Sequence, residues 1–192
     1  FESLDWNHGV FLGSTVASER TAAAEGSVGV VRRDPMAMLP FCGYNMGEYF
    51  KHWIAMKKRM TKTPLIFGVN WFRKGSDGKF MWPGFGDNAR VLKWIVERVQ
   101  GKGKATEMSH GFVPAYDDLD WTGLATMTRE RFERELMRVD AAEWKAELSS
   151  HTDFFAKFGA HAPKEFEAIQ KSLTAGVSSS TKASRPVTAM LI

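Results

Sequence analysis

The spacing of apolar residues predicts two helices in the middle of this chain. From Met46 to about Arg59, large apolar side chains return every three or four positions, the pattern of a helix with one buried face. A second helix is expected after a cap at Asp87 or Asn88, and Gly101 ends it. Its predicted buried stripe consists of Val91, Leu92, Trp94, Ile95 and Val99.

The last third of the chain is predicted to be helical. The three expected helices are Arg129 to Met137, a helix opened by the capping pair Asp140 and Glu143 and closed by Gly159, and a helix from Pro163 with Phe166, Ile169 and Leu173 on its buried side. Serine, lysine and proline residues past Gly176 predict a disordered tail over residues 177–192.

Short apolar runs predict strands elsewhere. Gly9 to Gly13 is too short for a typical helix and predicts a buried strand, and Val28 to Arg33 predicts another that an Asp-Pro pair ends. Pro64 to Val69 is expected to enter a hairpin with its turn within Gly75 to Gly78, because Asp-Gly favours the left-handed angles of such turns. The fold class is therefore α/β in the sense of a mixed α+β fold, with a mixed sheet packed against helices.

Two further segments allow more than one interpretation. Ser18 to Gly26 is small, polar and rich in alanine, which predicts either a helix starting at Ser18 or a surface segment that can order and disorder. Gly101 to Gly123 is expected to be irregular, and three carboxylates in it could bind a hard cation. A solvated turn is the simpler interpretation, because their spacing is not that of a calcium loop. They are Asp117, Asp118 and Asp120.

Composition narrows the functional classes. The 192 residues are 44% hydrophobic and 25% charged, as in ordinary globular domains, and no apolar run is long enough to cross a membrane. The scattered net charge of +4 allows attraction to nucleotides but does not indicate nucleic-acid binding. We expect a soluble cytoplasmic protein with no nucleic-acid or membrane partner. The single cysteine, Cys42, is given no chemistry, and an opening at Phe1 that already resembles the middle of a domain predicts a fragment.

The segment from Asn70 to Asn88 carries the densest candidate chemistry. Its aromatic rings suit stacking on a purine, its glycines let backbone amides approach a ligand, and the Asn88 amide can read a base edge. A buried hydrophobic hairpin is the alternative interpretation, because aromatic residues around a glycine-bearing turn usually pack against a core.

The strings NWFRK and KFMWPGFGDNARVLKW, which begin at Asn70 and Lys79, closely resemble the guanine-binding segment of GTP-dependent phosphoenolpyruvate carboxykinases. The similarity runs from about Trp6 to Val113 and continues more weakly through the terminal helices, so it covers the C-terminal third of such an enzyme. It implies that residues 1–176 are the C-terminal part of the family's nucleotide-binding domain, with a mobile lid at 18–29, a guanine-binding segment at 70–88 and a helical end at 128–175.

The resemblance also implies individual roles. Three rings would sandwich guanine, while Asn88 and the backbone from Gly84 to Asp87 would read its edge. The implied binding residues are Phe72, Phe80, Gly84, Phe85, Gly86, Asp87 and Asn88. The implied lid residues are Ser18, Glu19, Arg20, Thr21, Ala22, Ala23, Ala24, Glu25 and Gly26. Small residues such as Ala22, Ala23 and Ala24 suit a loop that closes over substrates.

Members of this family are lyases that convert oxaloacetate and GTP to phosphoenolpyruvate, GDP and carbon dioxide, the first committed step of gluconeogenesis, with manganese or magnesium at the phosphates. The chain has no G-x-x-x-x-G-K-[ST] phosphate loop and no histidine cluster that resembles a metal site. The resemblance places those groups upstream, so we assign no catalytic or metal-binding residue here and expect the fragment to be inactive alone.

Other properties stay as expectations or alternatives. The complete enzyme is expected to be a cytosolic monomer, with a mitochondrial form as the alternative. A standalone guanine-nucleotide-binding module without catalysis is the main rival function, and an aromatic-rich interaction protein that binds no nucleotide is a third.

Overall fold

A computed structural model describes residues 1–19, 31–75 and 77–183 of the chain. Its helices are α1 (Trp6–Ser14), α2 (Met46–Met56), α3 (Asn88–Val99), α4 (Arg129–Arg131), α5 (Ala141–Ala156) and α6 (Lys164–Ala183). Its strands are β1 (Ala17–Glu19), β2 (Val31–Arg33), β3 (Thr106–Met108) and β4 (Gly111–Val113). The mixed α+β fold class is thereby confirmed. None of the described helices is both long and apolar enough to span a membrane.

The strands form two antiparallel pairs, so the prediction of one mixed sheet is wrong for the described part of the chain. Strand β1 pairs with β2, with Ala17 opposite Arg33, and β3 pairs with β4. The second pair lies inside the stretch that we expected to be irregular. Ser18 belongs to β1, so a helix starting there is also wrong. The predicted lid residues from 20 to 26 and the first part of the strand predicted from Val28 lie outside the described residues.

The predicted strand from Gly9 to Gly13 is wrong, because these residues lie in α1. The helix is capped by Asp5, whose carboxylate accepts a hydrogen bond from the backbone N–H of His8 at 2.8 Å. A Cβ atom placed on Gly9 would lie 2.4 Å from Cδ1 of Ile66. The glycine therefore serves a close contact between this helix and the segment around Ile66, not the end of a strand.

Most predicted helices are confirmed. Helix α2 continues through a 3₁₀ turn at Lys57–Arg59, and α4 continues as a π-helical turn at Phe132–Leu136. The Asp140 carboxylate caps α5 by accepting hydrogen bonds from Ala142 N (2.9 Å) and Glu143 N (3.0 Å). Helix α6 runs to Ala183, so the prediction of a disordered tail is wrong for residues 177–183. Residues 184–192 lie outside the described part.

The buried face of α3 differs from the predicted stripe. Trp94 is 1% exposed and its ring lies edge-on to Phe67 at 5.8 Å, whereas Leu92 and Val99 are more than half exposed. At about 100° per residue, Leu92 points away from the side that Trp94 faces. The helix carries two apolar stripes, and the sequence alone did not distinguish the buried one. Pro64 to Val69 is likewise not a strand, because it contributes one bridge, between Phe67 and Glu2.

Two hydrophobic cores organise the described part of the chain. The first core joins α1, α2, α5 and α6, and its buried members are Trp6, Val10, Phe11, Met46, Phe50, Leu148, Phe154, Phe155, Phe166 and Leu173. The second core lies around α3 and α4, and its buried members are Trp94, Leu119, Met127 and Phe132. Segment 70–88 packs on the side of the second core through Trp82, whose ring lies 6.2 Å from that of Trp121.

Candidate functional site

A short hairpin positions the first two predicted rings. Asn70 Oδ1 accepts a hydrogen bond from Phe72 N at 3.0 Å, Lys74 forms a bridge with Phe80, and Met81 N donates to Arg73 O at 2.8 Å. Gly78 occupies the left-handed region at φ 74°, which confirms the predicted turn. The bridge therefore brings Phe72 and Phe80 to the same end of the hairpin.

The three predicted rings are all exposed. Phe72 is 72%, Phe80 56% and Phe85 96% accessible to solvent. The rings of Phe72 and Phe80 meet edge to face, with centroids 6.0 Å apart, and Lys74 Nζ lies 5.8 Å from the centroid of Phe80. Among the described residues, Phe85 contacts no other ring, so both of its faces are open. These observations contradict the alternative of a buried hairpin for these three positions.

The backbone at Gly84 and Phe85 is unusual. Gly84 has φ 80° and Phe85 has φ 46°, and the chain then enters a 3₁₀ turn over Phe85–Asp87 that leads directly into α3. A left-handed conformation is costly for a bulky residue, by about 1–3 kcal/mol, and tends to occur at functional sites. Here it projects the Phe85 ring into solvent.

Asn88 is held from below by an aromatic side chain. The buried Trp82 donates its indole N–H to Asn88 Oδ1 at 2.8 Å. Asn88 is the first residue of α3, and Asp87 precedes it. We expected one of these two residues to cap the helix, but the Asp87 side chain makes no cap hydrogen bond. The Asn88 amide is thus fixed by a neighbour and not spent on capping the helix.

Arg90 braces the same turn against the following loop. Its Nε donates to Asp87 Oδ1 at 2.9 Å, and its two terminal nitrogens donate to the carbonyl oxygens of Asp120 and Thr122, the latter at 2.8 Å. The Arg90 side chain is 17% exposed, and each of these bonds is strengthened by the charge of its guanidinium group. The candidate site therefore has exposed rings above and a fixed polar support below.

The three aspartates considered as cation ligands are used within the fold. Asp117 pairs with Arg129, which lowers the pKa of that carboxyl, and Asp118 accepts a hydrogen bond from Ala115 N at 2.8 Å. Asp120 accepts one from Thr122 N at 2.9 Å, and this bond lowers its pKa. Residues 1–19, 31–75 and 77–183 hold no group of three or more His, Cys, Asp or Glu side chains that could bind a metal.

A partly open pocket adjoins the site without containing it. It measures about 670 Å³, and Asn70, Trp71 and Trp82 are among its lining residues, whereas Phe72, Phe80 and Phe85 are not. The candidate site is therefore an open platform on the surface.

Sequence reasoning placed the rings, glycines and Asn88 in one segment. The structure pairs the rings of Phe72 and Phe80, joins the segment to the start of α3 through the hydrogen bond from Trp82 to Asn88, and leaves Phe85 without a ring contact among the described residues. It missed Trp82 as the partner of Asn88 and Arg90 as a brace. The three-residue spacing from Asp87 to Arg90 is a readable signal for an ion pair at the start of a helix. No comparable local signal marks the contacts of Arg90 with residues 120 and 122.

Comparison with known proteins identifies the class of domain. Residues 1–175 match the family described as the phosphoenolpyruvate carboxykinase C-terminal P-loop domain. Because the match covers most of the chain, the protein belongs to this family.

Relatives named phosphoenolpyruvate carboxykinase [GTP] support the assignment. The chain is 54% identical over 169 residues to the protein of Arthrobacter sp. (strain FB24), an overlap of 87% of this chain and 27% of the relative. It is 49% identical over 172 residues to that of Anaeromyxobacter sp. (strain K), covering 90% and 28%. It is 49% identical over 177 residues to that of Thermoplasma volcanium, an overlap of 90% of this chain and 29% of the relative. The chain thus spans less than a third of these relatives.

Proposed function

We propose that this chain binds the guanine base of GTP or GDP on the platform formed by Phe72, Phe80 and Phe85. The observation that carries the proposal is the exposure of all three rings on a segment whose underside is fixed to the second core. A base stacked on such rings gains about 1–3 kcal/mol, and any base has a face that can stack. The platform supplies affinity, so selectivity must come from polar groups at its edge.

Asn88 and the backbone from Gly84 to Asp87 are proposed to read the edge of the base. Hydrogen-bonding groups that match guanine are left unpaired by adenine, which is the strongest form of discrimination available to such a site. Lys74, beside Phe80, adds positive charge near a ligand that carries phosphates.

In the complete protein, we propose that this domain serves the conversion of oxaloacetate and GTP to phosphoenolpyruvate, GDP and carbon dioxide. The names of the relatives support this activity. A divalent metal, manganese or magnesium, would neutralise charge on the phosphates, and residues outside this chain would hold it. The part played by this chain is to fix the base and hence the position of the phosphates. Because the relatives include bacterial and archaeal proteins, we propose a cytoplasmic location. The family resemblance leads us to propose that the complete enzyme is a monomer.

The segment from Ser18 to Gly26 is proposed to act as a lid. Strands β1 and β2 pair on either side of residues 20–30 and so bring the two ends of that segment together, as a loop that closes over a site requires. Arg33, on β2, anchors the paired strands to the rest of the protein by donating to Thr15 O at 2.9 Å and to Glu147 Oε1 at 2.8 Å.

The base site can be tested by titrating the purified chain with GDP and with ADP. Tryptophan fluorescence is a suitable signal, because Trp71 and Trp82 lie beside the platform. Saturable quenching by GDP and not by ADP is expected. A chain that is folded by circular dichroism and responds to neither nucleotide would contradict the proposal.

A further inference from the structure

We infer that Trp82 determines base specificity by holding the Asn88 amide in the orientation that selects guanine. This inference rests on the proposed function, because it names how the same site distinguishes two purines. Trp82 is buried and its indole N–H donates to Asn88 Oδ1, so we assign it as a positioning residue that acts through Asn88.

The geometry leaves Trp82 little freedom. Its ring is 7% exposed and lies between those of Trp71, at 6.4 Å and 42°, and Trp121, at 6.2 Å and 65°. Rotation of the indole would break both contacts, so the direction of its N–H is set by packing. That N–H points at Asn88 Oδ1 from 2.8 Å.

The chemistry of the two groups then fixes the amide. An indole nitrogen is a donor only, so the Asn88 atom that faces it must be the carbonyl oxygen. The planar amide consequently directs its NH₂ group along its other branch. Within the described part of the chain, that NH₂ donates to no protein acceptor, which leaves it available to a ligand as a donor.

A donor at this place discriminates between the purines at their six-position. Guanine carries a carbonyl oxygen there and can accept, whereas adenine carries an amino group and would oppose one donor with another. An Asn88 amide that is free to flip could offer its oxygen to adenine instead. A fixed amide orientation therefore lets the Asn88 side chain favour guanine over adenine.

The inference can be tested with Trp82→Phe, using Trp71→Phe as the matched control. Both changes keep an aromatic ring at their position in the same cluster, so that packing around the other rings is retained, but only the first removes the donor to Asn88. Calorimetric titration with GDP, IDP and ADP gives the affinities. We expect Trp82→Phe to lower the preference for GDP over ADP about tenfold, and Trp71→Phe to preserve it. IDP should follow GDP in each variant, because it keeps the six-position oxygen.

A second variant tests the same idea without touching the ring cluster. Asn88→Asp keeps an oxygen for Trp82 to donate to and replaces the NH₂ with a second acceptor. Its added charge repels the phosphates of both nucleotides alike, so the ratio of affinities reports the base. We expect the preference to shift from GDP towards ADP.

The outcomes separate the inference from the proposed function. A folded wild-type chain that binds neither nucleotide overturns the proposed function and the inference with it. A wild type that prefers GDP, together with an unchanged preference in Trp82→Phe or in Asn88→Asp, overturns the inference alone. Equal losses of preference in Trp82→Phe and Trp71→Phe would also overturn it, because the effect would then be one of packing.

Discussion

The first core and the platform use the same side chain for opposite purposes. In the first core, Phe11, Phe50 and Phe166 are fully buried, and the ring of Phe166 meets that of Phe11 edge to face at 5.4 Å and that of Phe50 in a tilted arrangement at 5.7 Å. On the platform, phenylalanines at 72, 80 and 85 lie in solvent on a hairpin and a strained turn. The presence of a phenylalanine therefore does not predict whether its ring stabilises the fold or is available to a ligand. The packing of the backbone and side chains around each ring decides this.

Removing a core ring should have the largest effect. Phe50 is fully buried and packs against Phe155, Phe158 and Phe166 at 5.5 to 6.3 Å. We expect Phe50→Ala to lower the free energy of unfolding by about 3–5 kcal/mol, through lost burial and the cavity left behind. Urea denaturation followed by circular dichroism measures this value. A loss below about 1 kcal/mol would show that the first core does not depend on this ring.

Removing a platform ring should give the reverse result. Phe85 is almost wholly exposed, so we expect Phe85→Ala to change the free energy of unfolding by no more than about 0.5 kcal/mol. Binding of GDP should weaken by about 1–3 kcal/mol because a stacking surface is lost.

Phe41 provides the control for this experiment, because it is 77% exposed and lies outside segment 70–88. Phe41→Ala should leave both stability and GDP affinity near the wild-type values. If Phe85→Ala and Phe41→Ala bind GDP equally well, the platform is not the base site.

The support under the platform can be weakened separately. Arg90 joins Asp87 to the carbonyls of Asp120 and Thr122, and lysine cannot reproduce a three-way fork. We expect Arg90→Lys to cost about 1–2 kcal/mol of stability and to weaken GDP binding by a similar amount. Lys93→Arg, on an exposed position of the same helix, is the matched exchange and should change neither. Loss of stability with GDP affinity intact would show that the brace does not position the base site.

How far the sequence predicts this molecule depends on the range of the contacts involved. Helices with local capping signals, such as the one opened by Asp140, and the turn at Gly78 were predicted correctly because their causes lie within a few residues. The strand predicted at Gly9 to Gly13 failed because the reason for Gly9 is a contact with Ile66, which is distant along the chain. The stripe on α3 failed for a related reason, since only the packing of Trp94 on Phe67 shows which side is buried.

The candidate site was more readable, because its main groups lie in one segment. Sequence reasoning placed the rings and Asn88 together, but it could not distinguish exposed rings from buried ones. It also left Trp82 outside the site as a packing residue. In the structure the Trp82 ring packs against that of Trp121 while its N–H donates to Asn88, so one buried side chain makes both an apolar and a polar contact.

The smallest effect is expected at the polar edge of the first core. Glu147 on α5 accepts hydrogen bonds from His151 Nε2 (2.9 Å) and Arg33 (2.8 Å), and these lower its pKa from 4.5 to about 2, with the His151 bond as the larger cause. A depressed carboxyl pKa stabilises the fold above about pH 4.5, and this contribution is lost as the pH falls towards 2. Because the side chain is about half exposed, we expect about 1 kcal/mol or less.

Glu147→Gln should therefore unfold more easily than wild type at pH 7, and the difference should vanish between pH 4.5 and 2 in urea titrations. Glu107→Gln, on an exposed position of β3, controls for the loss of a charge and should leave the stability at pH 7 near the wild-type value. GDP affinity at pH 7 should be unaffected, because Glu147 supports the first core and the base of the proposed lid but not the platform. A change in GDP affinity as large as that in stability would mean that the two regions are coupled, and the contrast between core and platform rings would then fail.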